Sequence, residues 1–194
     1  MKELFYISGL FYENQGYKSR KYLNIKLRTT QKTNPDLMVV MMNFGGSYPI
    51  DQKDNSAIET EANPDKTQDQ IMKAMLNCEM EYARILNLSD GRDTKQFNLL
   101  KAIQEMDKEE IAHSIFDSRR SRGFKELFVP EISVLFGWGV DKRLRPLALK
   151  AIMTIGNKDP FGIRKEDTDY EDYHPSPYST PIQKEWIEKS LHNF

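Results

Sequence analysis

Four runs along this chain each give way to a short cluster of polar or small residues. Residues 37–42 lead into Asn43-Phe44-Gly45-Gly46-Ser47, residues 83–86 into Asn87-Leu88-Ser89-Asp90, and residues 132–136 into Gly137-Trp138-Gly139; the last cluster is His174-Pro175-Ser176-Pro177. Short, continuous apolar runs are expected of strands covered on both faces, as in parallel sheets. Strands that stop at Asn, Gly, Ser and His set polar side chains and free backbone N–H groups along one sheet edge. In open α/β sheets that edge is where ligands bind.

Other elements follow from the same pattern. Residues 4–12 and 22–29 flank Glu13-Asn14-Gln15-Gly16, and Tyr22-Leu23-Asn24-Ile25-Lys26-Leu27 alternates apolar and polar, which predicts a half-buried N-terminal β-hairpin. Residues 45–66, rich in Gly, Pro, Asp, Asn and Ser, are expected to form a long loop that orders over a pocket when ligand binds. Thr67-Gln68-Asp69-Gln70 fits a capping box with Thr67 as N-cap, opening a helix to about Tyr82. Residues 98–106 and 107–117 predict two more helices, the second started by Asp107 and Glu110. Residues 145–155 predict another, with Pro146 in its first turn and Gly156 beyond its end, and residues 183–191 a terminal one. Strands alternating with helices argue for a three-layer α/β/α sandwich around a mostly parallel sheet, with residues 1–194 forming one domain.

Composition narrows the function classes. With 194 residues, 39% hydrophobic and 29% charged, the chain is long enough to bury a core and too apolar to be disordered. No apolar stretch approaches the roughly 18 residues that span a bilayer, so no membrane association is expected. Met1-Lys2-Glu3-Leu4 lacks the apolar centre of a signal peptide. One cysteine, Cys78, and three histidines give neither a disulfide framework nor zinc-ligand spacing; no metal and no cofactor are expected, and a cytoplasmic setting is. Net charge is −1, but Lys2, Lys18, Arg20, Lys21, Lys26 and Arg28 crowd the N-terminus, and residues 119–125 and 142–145 form further basic clusters. Such patches suit contact with a few phosphates rather than a polyelectrolyte grip.

At the strand ends, an Asn such as Asn43 or Asn87 offers donor and acceptor together, matching the amide-like edge of a nucleobase. His174 is able to donate to a carbonyl oxygen on which charge develops. Gly45 and Gly46 permit close backbone approach, and Ser47 and Ser176 suit phosphate oxygens. Phe44 or Tyr48 is placed to stack on a base, a contact worth about 1–3 kcal/mol. Structural alternatives stand beside each: Asn87 as a strand-end cap, His174 as a surface group, Gly45-Gly46 as a plain turn.

The order Asn43-x-Gly45-Gly46, Asn87-Leu88-Ser89, Gly137-Trp138-Gly139 and His174-Pro175-Ser176-Pro177 resembles the uracil-DNA glycosylase superfamily. Within it, the chain looks closest to a bacterial and phage family, the domain of unknown function numbered 1643, to whose Asp-x-Thr and Asn-Leu elements Asp65-Lys66-Thr67 and Asn87-Leu88 answer. The resemblance covers about residues 20–182. It implies a central, mostly parallel four-stranded sheet, with Asn43 positioning water, Asn87 reading the base edge, His174 donating to the base carbonyl, and Phe44, Gly45, Gly46, Ser47, Tyr48 and Ser176 holding the substrate. The chain departs from the family where Asn43 replaces the acidic residue that polarises water and where Phe44 replaces Pro; Asp51 and Asp54 are the nearby acids of the same loop. The leading expectation is therefore a DNA glycosylase-like hydrolase acting on a flipped or modified base, with DNA or a nucleotide as partner. The alternatives are a non-catalytic module that keeps the pocket for a nucleotide, nucleic acid or protein partner, and a hydrolase of free nucleosides or nucleotides.

Overall fold

Phe5–Asn14 (β1) and Tyr17–Leu27 (β2) form the hairpin that the period-two alternation predicts. It turns at Gln15 and Gly16, whose φ angles of 50° and 86° lie in the left-handed region that two-residue hairpin turns require. The remaining strands are Leu37–Met41 (β3), Tyr48–Pro49 (β4), Glu59–Asn63 (β5), Tyr82–Asn87 (β6) and Ser133–Gly137 (β7). A computed structural model describes residues 1, 3–42, 46–53, 58–93, 95–156, 160–176 and 180–191.

The strands make one seven-stranded sheet of order β4-β5-β1-β2-β6-β3-β7. This corrects the expectation of a mostly parallel four-stranded sheet. β3 pairs in parallel with β6 and β7, whereas β1 with β2 and β5, β2 with β6, and β4 with β5 are antiparallel. Two physical facts account for the difference. The hairpin docks directly on β6, with Leu23 opposite Ile85, and so extends the sheet rather than preceding it. The stretch expected to be a single long loop supplies β4 and β5: Pro49 is tolerated because β4 is an edge strand that needs no second partner, and β5, between β4 and β1, meets each over a short register only.

Helices cover both faces of the β6-β3-β7 triplet. Lys66–Asn77 (α1) and Thr180–Leu191 (α5) lie on one face, where Ile71, Met72, Met75 and Trp186 pack on Phe11, Leu23, Ile25, Val39, Met41 and Ile85. Gln96–Lys108 (α2), Ser121–Leu127 (α3) and Arg145–Ile155 (α4) cover the other through Leu99, Met106, Leu127, Leu147 and Ala151 against Met38, Val40, Leu86 and Phe136. α4 has Pro146 in its first turn and ends at Gly156, with φ 84°, as its sequence predicts. No helix among the described residues is long and apolar enough to cross a membrane.

Two helix boundaries differ from expectation. The N-cap of α1 is Asp65, not Thr67: its Oδ1 accepts from Thr67 N at 2.8 Å and Gln68 N at 3.3 Å, while Gln68 Oε1 accepts from Asp65 N at 2.6 Å. A carboxylate accepts more strongly than a hydroxyl, so the box forms two residues earlier. Residues 109–117 form no helix; Glu110 turns the chain with φ 57°, and Ile111, Ile115 and Phe116 are buried from an irregular segment.

The β7 edge is covered by the segment from Phe161 onward. Phe136 N donates to Phe161 O at 2.8 Å and Phe161 N to Val134 O at 2.7 Å. Gly162 follows with φ 131°, and any Cβ there would collide with the Phe136 carbonyl oxygen. Gly162→Ala is expected to cost about 1–3 kcal/mol through backbone strain and overpacking. Amide hydrogen exchange at Phe136 and Phe161 measures it: both should exchange faster in the variant while the β3 amides keep their protection.

Candidate functional site

His174 is delivered to the C-terminal end of the sheet by the segment that covers β7. Gly139 N donates to Asp172 O at 2.7 Å, Tyr173 N to Ile163 O at 2.9 Å, and Trp138 Nε1 to Tyr170 O at 2.7 Å. Ion pairs of 2.9 Å between Arg164 and Asp172 and 2.8 Å between Lys165 and Glu171 brace the same strip. From α5, Trp186 Nε1 donates to Tyr173 O at 3.2 Å. Pro175 lies on the face of Gly137, where a Cβ would stand 2.9 Å from Pro175 Cδ. The glycine that ends β7 thus seats the residue next to His174.

The ring of His174 is held in one tautomer. Ser176 N donates to its Nδ1 at 3.1 Å, which leaves Nε2 to carry the proton of the neutral ring. Burial lowers the His174 pKa, with the Asp65 charge opposing it. His174 is therefore a neutral Nε2–H donor, the form that stabilises negative charge developing on an oxygen. It opens on a cleft of about 780 Å³ that it lines with Met42, Trp138, Asp141, Ser176 and Trp186.

Asn87 ends β6 beside Met41, one residue before Met42 of the cleft, but does not itself line the cleft. It is fully buried, and neither its Oδ1 nor its Nδ2 has a hydrogen-bond partner. Each such group costs about 1–3 kcal/mol, so this side chain is no satisfied strand-end cap. Ser47 is likewise buried with an unpartnered Oγ. Gly46 N donates to Asp65 Oδ2 at 3.1 Å, which ties the end of the β3–β4 connection to the start of α1. Tyr48 sits exposed in β4 and is not among the residues of the cleft. Asn43, Phe44 and Gly45 lie outside the described residues.

Two polar neighbours of Asn87 do structural work. Ser89 Oγ and Asp107 Oδ1 each lie 3.0 Å from a ring nitrogen of buried His113. Asp90 Oδ2 accepts from Tyr12 Oη at 2.6 Å and pairs with Arg120 at 2.7 Å; burial raises the Asp90 pKa against those partners. The basic clusters are largely paired at home: Arg119 with Asp117, Arg120 with Asp90, Arg122 with Glu126 and Arg143 with Asp141. Of the two clusters, residues 142–145 directly follow Val140 and Asp141 of the cleft.

Sequence reasoning passed over Asp65 as a site residue and met Arg20 only as one charge of the N-terminal basic cluster. Asp65 had a signal, an acid two residues ahead of a capping threonine; the facing of Arg20 had none, because it depends on a strand irregularity. Comparison with protein-family models, curated proteins and solved structures returns no match.

The lowered pKa of His174 has a thermodynamic signature. Below the ordinary histidine value of about 6.5, the unfolded chain takes up a proton that the folded chain resists, so stability falls as pH drops through and below that value. Denaturant midpoints measured between pH 7 and 5 should decline more steeply for the wild type than for His174→Gln, which has no proton to gain.

Proposed function

We propose that this chain recognises a nucleobase at the C-terminal end of β3, β6 and β7 and hydrolyses its N-glycosidic bond, acting on a flipped or modified base in DNA. The observation that carries the reading is the neutral His174 lining a large cleft, together with a buried, wholly unpartnered asparagine that ends β6 opposite Met41, the neighbour of Met42 of that cleft. In the step proposed, the C1′–N bond breaks and its electron pair passes to the base. Negative charge grows on the base carbonyl, to which His174 Nε2–H donates. Water adds its hydroxide to C1′ and its proton ends on the departing base. Asn87 offers donor and acceptor to the base edge in both ground and transition states. The order of motifs that resembles uracil-DNA glycosylases supports the same assignment of roles.

A specific observation favours a second reading, a pocket that binds a nucleotide, nucleic acid or protein partner without cleavage. Pairing of Arg119, Arg120, Arg122 and Arg143 with carboxylates removes much of the positive field that a DNA-tracking surface uses.

Base release from DNA bearing uracil, mismatches or hydroxymethylated or glucosylated cytosine, alongside hydrolysis of free nucleotides, separates the two. For an enzyme, His174→Ala should lower turnover about 100- to 1000-fold with binding retained, since the contact acts in the transition state. Asn87→Ala should weaken binding and turnover together. No release by the wild type from any of these substrates, with binding intact, would replace the enzyme reading by the second one.

A further inference from the structure

Much of the cleft wall is apolar, with Met42, Trp138, Val140 and Trp186 on it, and neither Lys nor Arg is among its lining residues. A ligand in such a site is oriented by a few polar groups placed at fixed points. His174 is one of them, a donor by virtue of the Ser176 N–H on its Nδ1. A second stands at the start of α2.

Gln96 is the first residue of α2, and its Nε2 donates to Asp141 Oδ2 at 2.7 Å; both residues line the cleft. A carboxylate only accepts, so the end of the amide that meets Asp141 has to be the NH2 group. Asp141 is itself fixed. Its Oδ1 accepts from Arg143 N and Nε, each at 2.9 Å, and its Oδ2 from Arg143 Nη2 at 2.6 Å. The Arg143 guanidinium holds the Asp141 carboxyl below the usual carboxylate pKa, so the acceptor that turns Gln96 stays ionised. The amide is thereby held one way round. Its only acceptor, Oε1, has no partner among the described residues.

We propose that Gln96, oriented by Asp141, is a base-selecting residue of the cleft, its Oε1 accepting an N–H of a base whose carbonyl oxygen accepts from His174. A donor and a fixed acceptor on one wall call for a ligand that offers the converse pair. The ligand class is then a base with both a carbonyl and an N–H donor, as in uracil, thymine, cytosine and guanine. Adenine, which has no carbonyl, leaves His174 without its acceptor. The inference rests on the nucleobase reading and adds to it the contact that Asn87 does not supply from the wall, since Asn87 does not line the cleft. Gln96 is the base-selecting residue and Asp141 its positioning residue.

Calorimetric titration with uridine, N3-methyluridine and adenosine tests it. Uridine offers carbonyls and a ring N–H, N3-methyluridine carbonyls alone, and adenosine N–H donors without a carbonyl. The wild type should bind uridine about 3- to 10-fold more tightly than N3-methyluridine, the range for one neutral hydrogen bond, and adenosine should trail uridine by at least as much. Gln96→Met should weaken uridine and leave N3-methyluridine unchanged, so that the preference between them vanishes. Asp141→Asn, which lets the Gln96 amide turn either way, should shrink it. Equal binding of uridine and N3-methyluridine by the wild type, adenosine bound as tightly as uridine, or a preference untouched by Gln96→Met or by Asp141→Asn overturns the proposal while leaving the nucleobase reading in place. Should none of the three bind, the nucleobase reading fails alone. The lactam δ-valerolactam, set against its N-methyl derivative, then decides. A larger rise in melting temperature with the lactam, levelled by Gln96→Met, upholds the donor–acceptor pair, and no difference between the two overturns it.

Discussion

One carboxylate holds the working end of this molecule together. Asp65 caps α1, fixes Gly46 after β3, and places its charge within reach of both Arg20 and His174. Three separate pieces of chain meet through it: the hairpin that carries Arg20, the β3–β4 connection, and the strip that delivers His174. The role of Asp65 is to set geometry.

The second constraint is the close seating of the His174 strip on β7. Gly137 under Pro175 and Gly162 under the Phe136 carbonyl both require the absence of a Cβ. The hydrogen bonds from Gly139 and Tyr173 then fix where His174 stands. Strand-like backbone bonding thus gives a residue in irregular structure the placement usually had from a regular element.

The local elements were legible where chemistry and periodicity agreed. The alternation in β2, the apolar runs of β3, β6 and β7, and the Pro and Gly at the two ends of α4 all appear where the sequence predicts them. Pairing was not legible. Nothing in Leu23 or Ile85 says that they face one another, so the hairpin's addition to the parallel triplet could not be read. β4 hid because an edge strand of two residues keeps loop-like composition, and β5 because its polar Glu-Thr-Glu-Ala-Asn carries no apolar run. α3 hid because its seven residues carry Gly123 and no side-chain cap. The facing of Arg20 was invisible for a subtler reason: one bulged residue reverses the side-chain parity of everything before it, and no composition records a bulge. At the site, the sequence pattern set Asn87 and His174 side by side and carried nothing of the contrast between them, one sealed in the sheet and the other lining the cleft.

Trp138 and Trp186 are the only tryptophans of the chain, and both border the same cleft. Both indole N–H groups are committed to the strip that delivers His174, through Tyr170 O and Tyr173 O. The tryptophan fluorescence of this protein, excited selectively beyond the tyrosine absorption, therefore comes entirely from the walls of its cleft. Occupancy and displacement of the strip are readable by light emission, without a label.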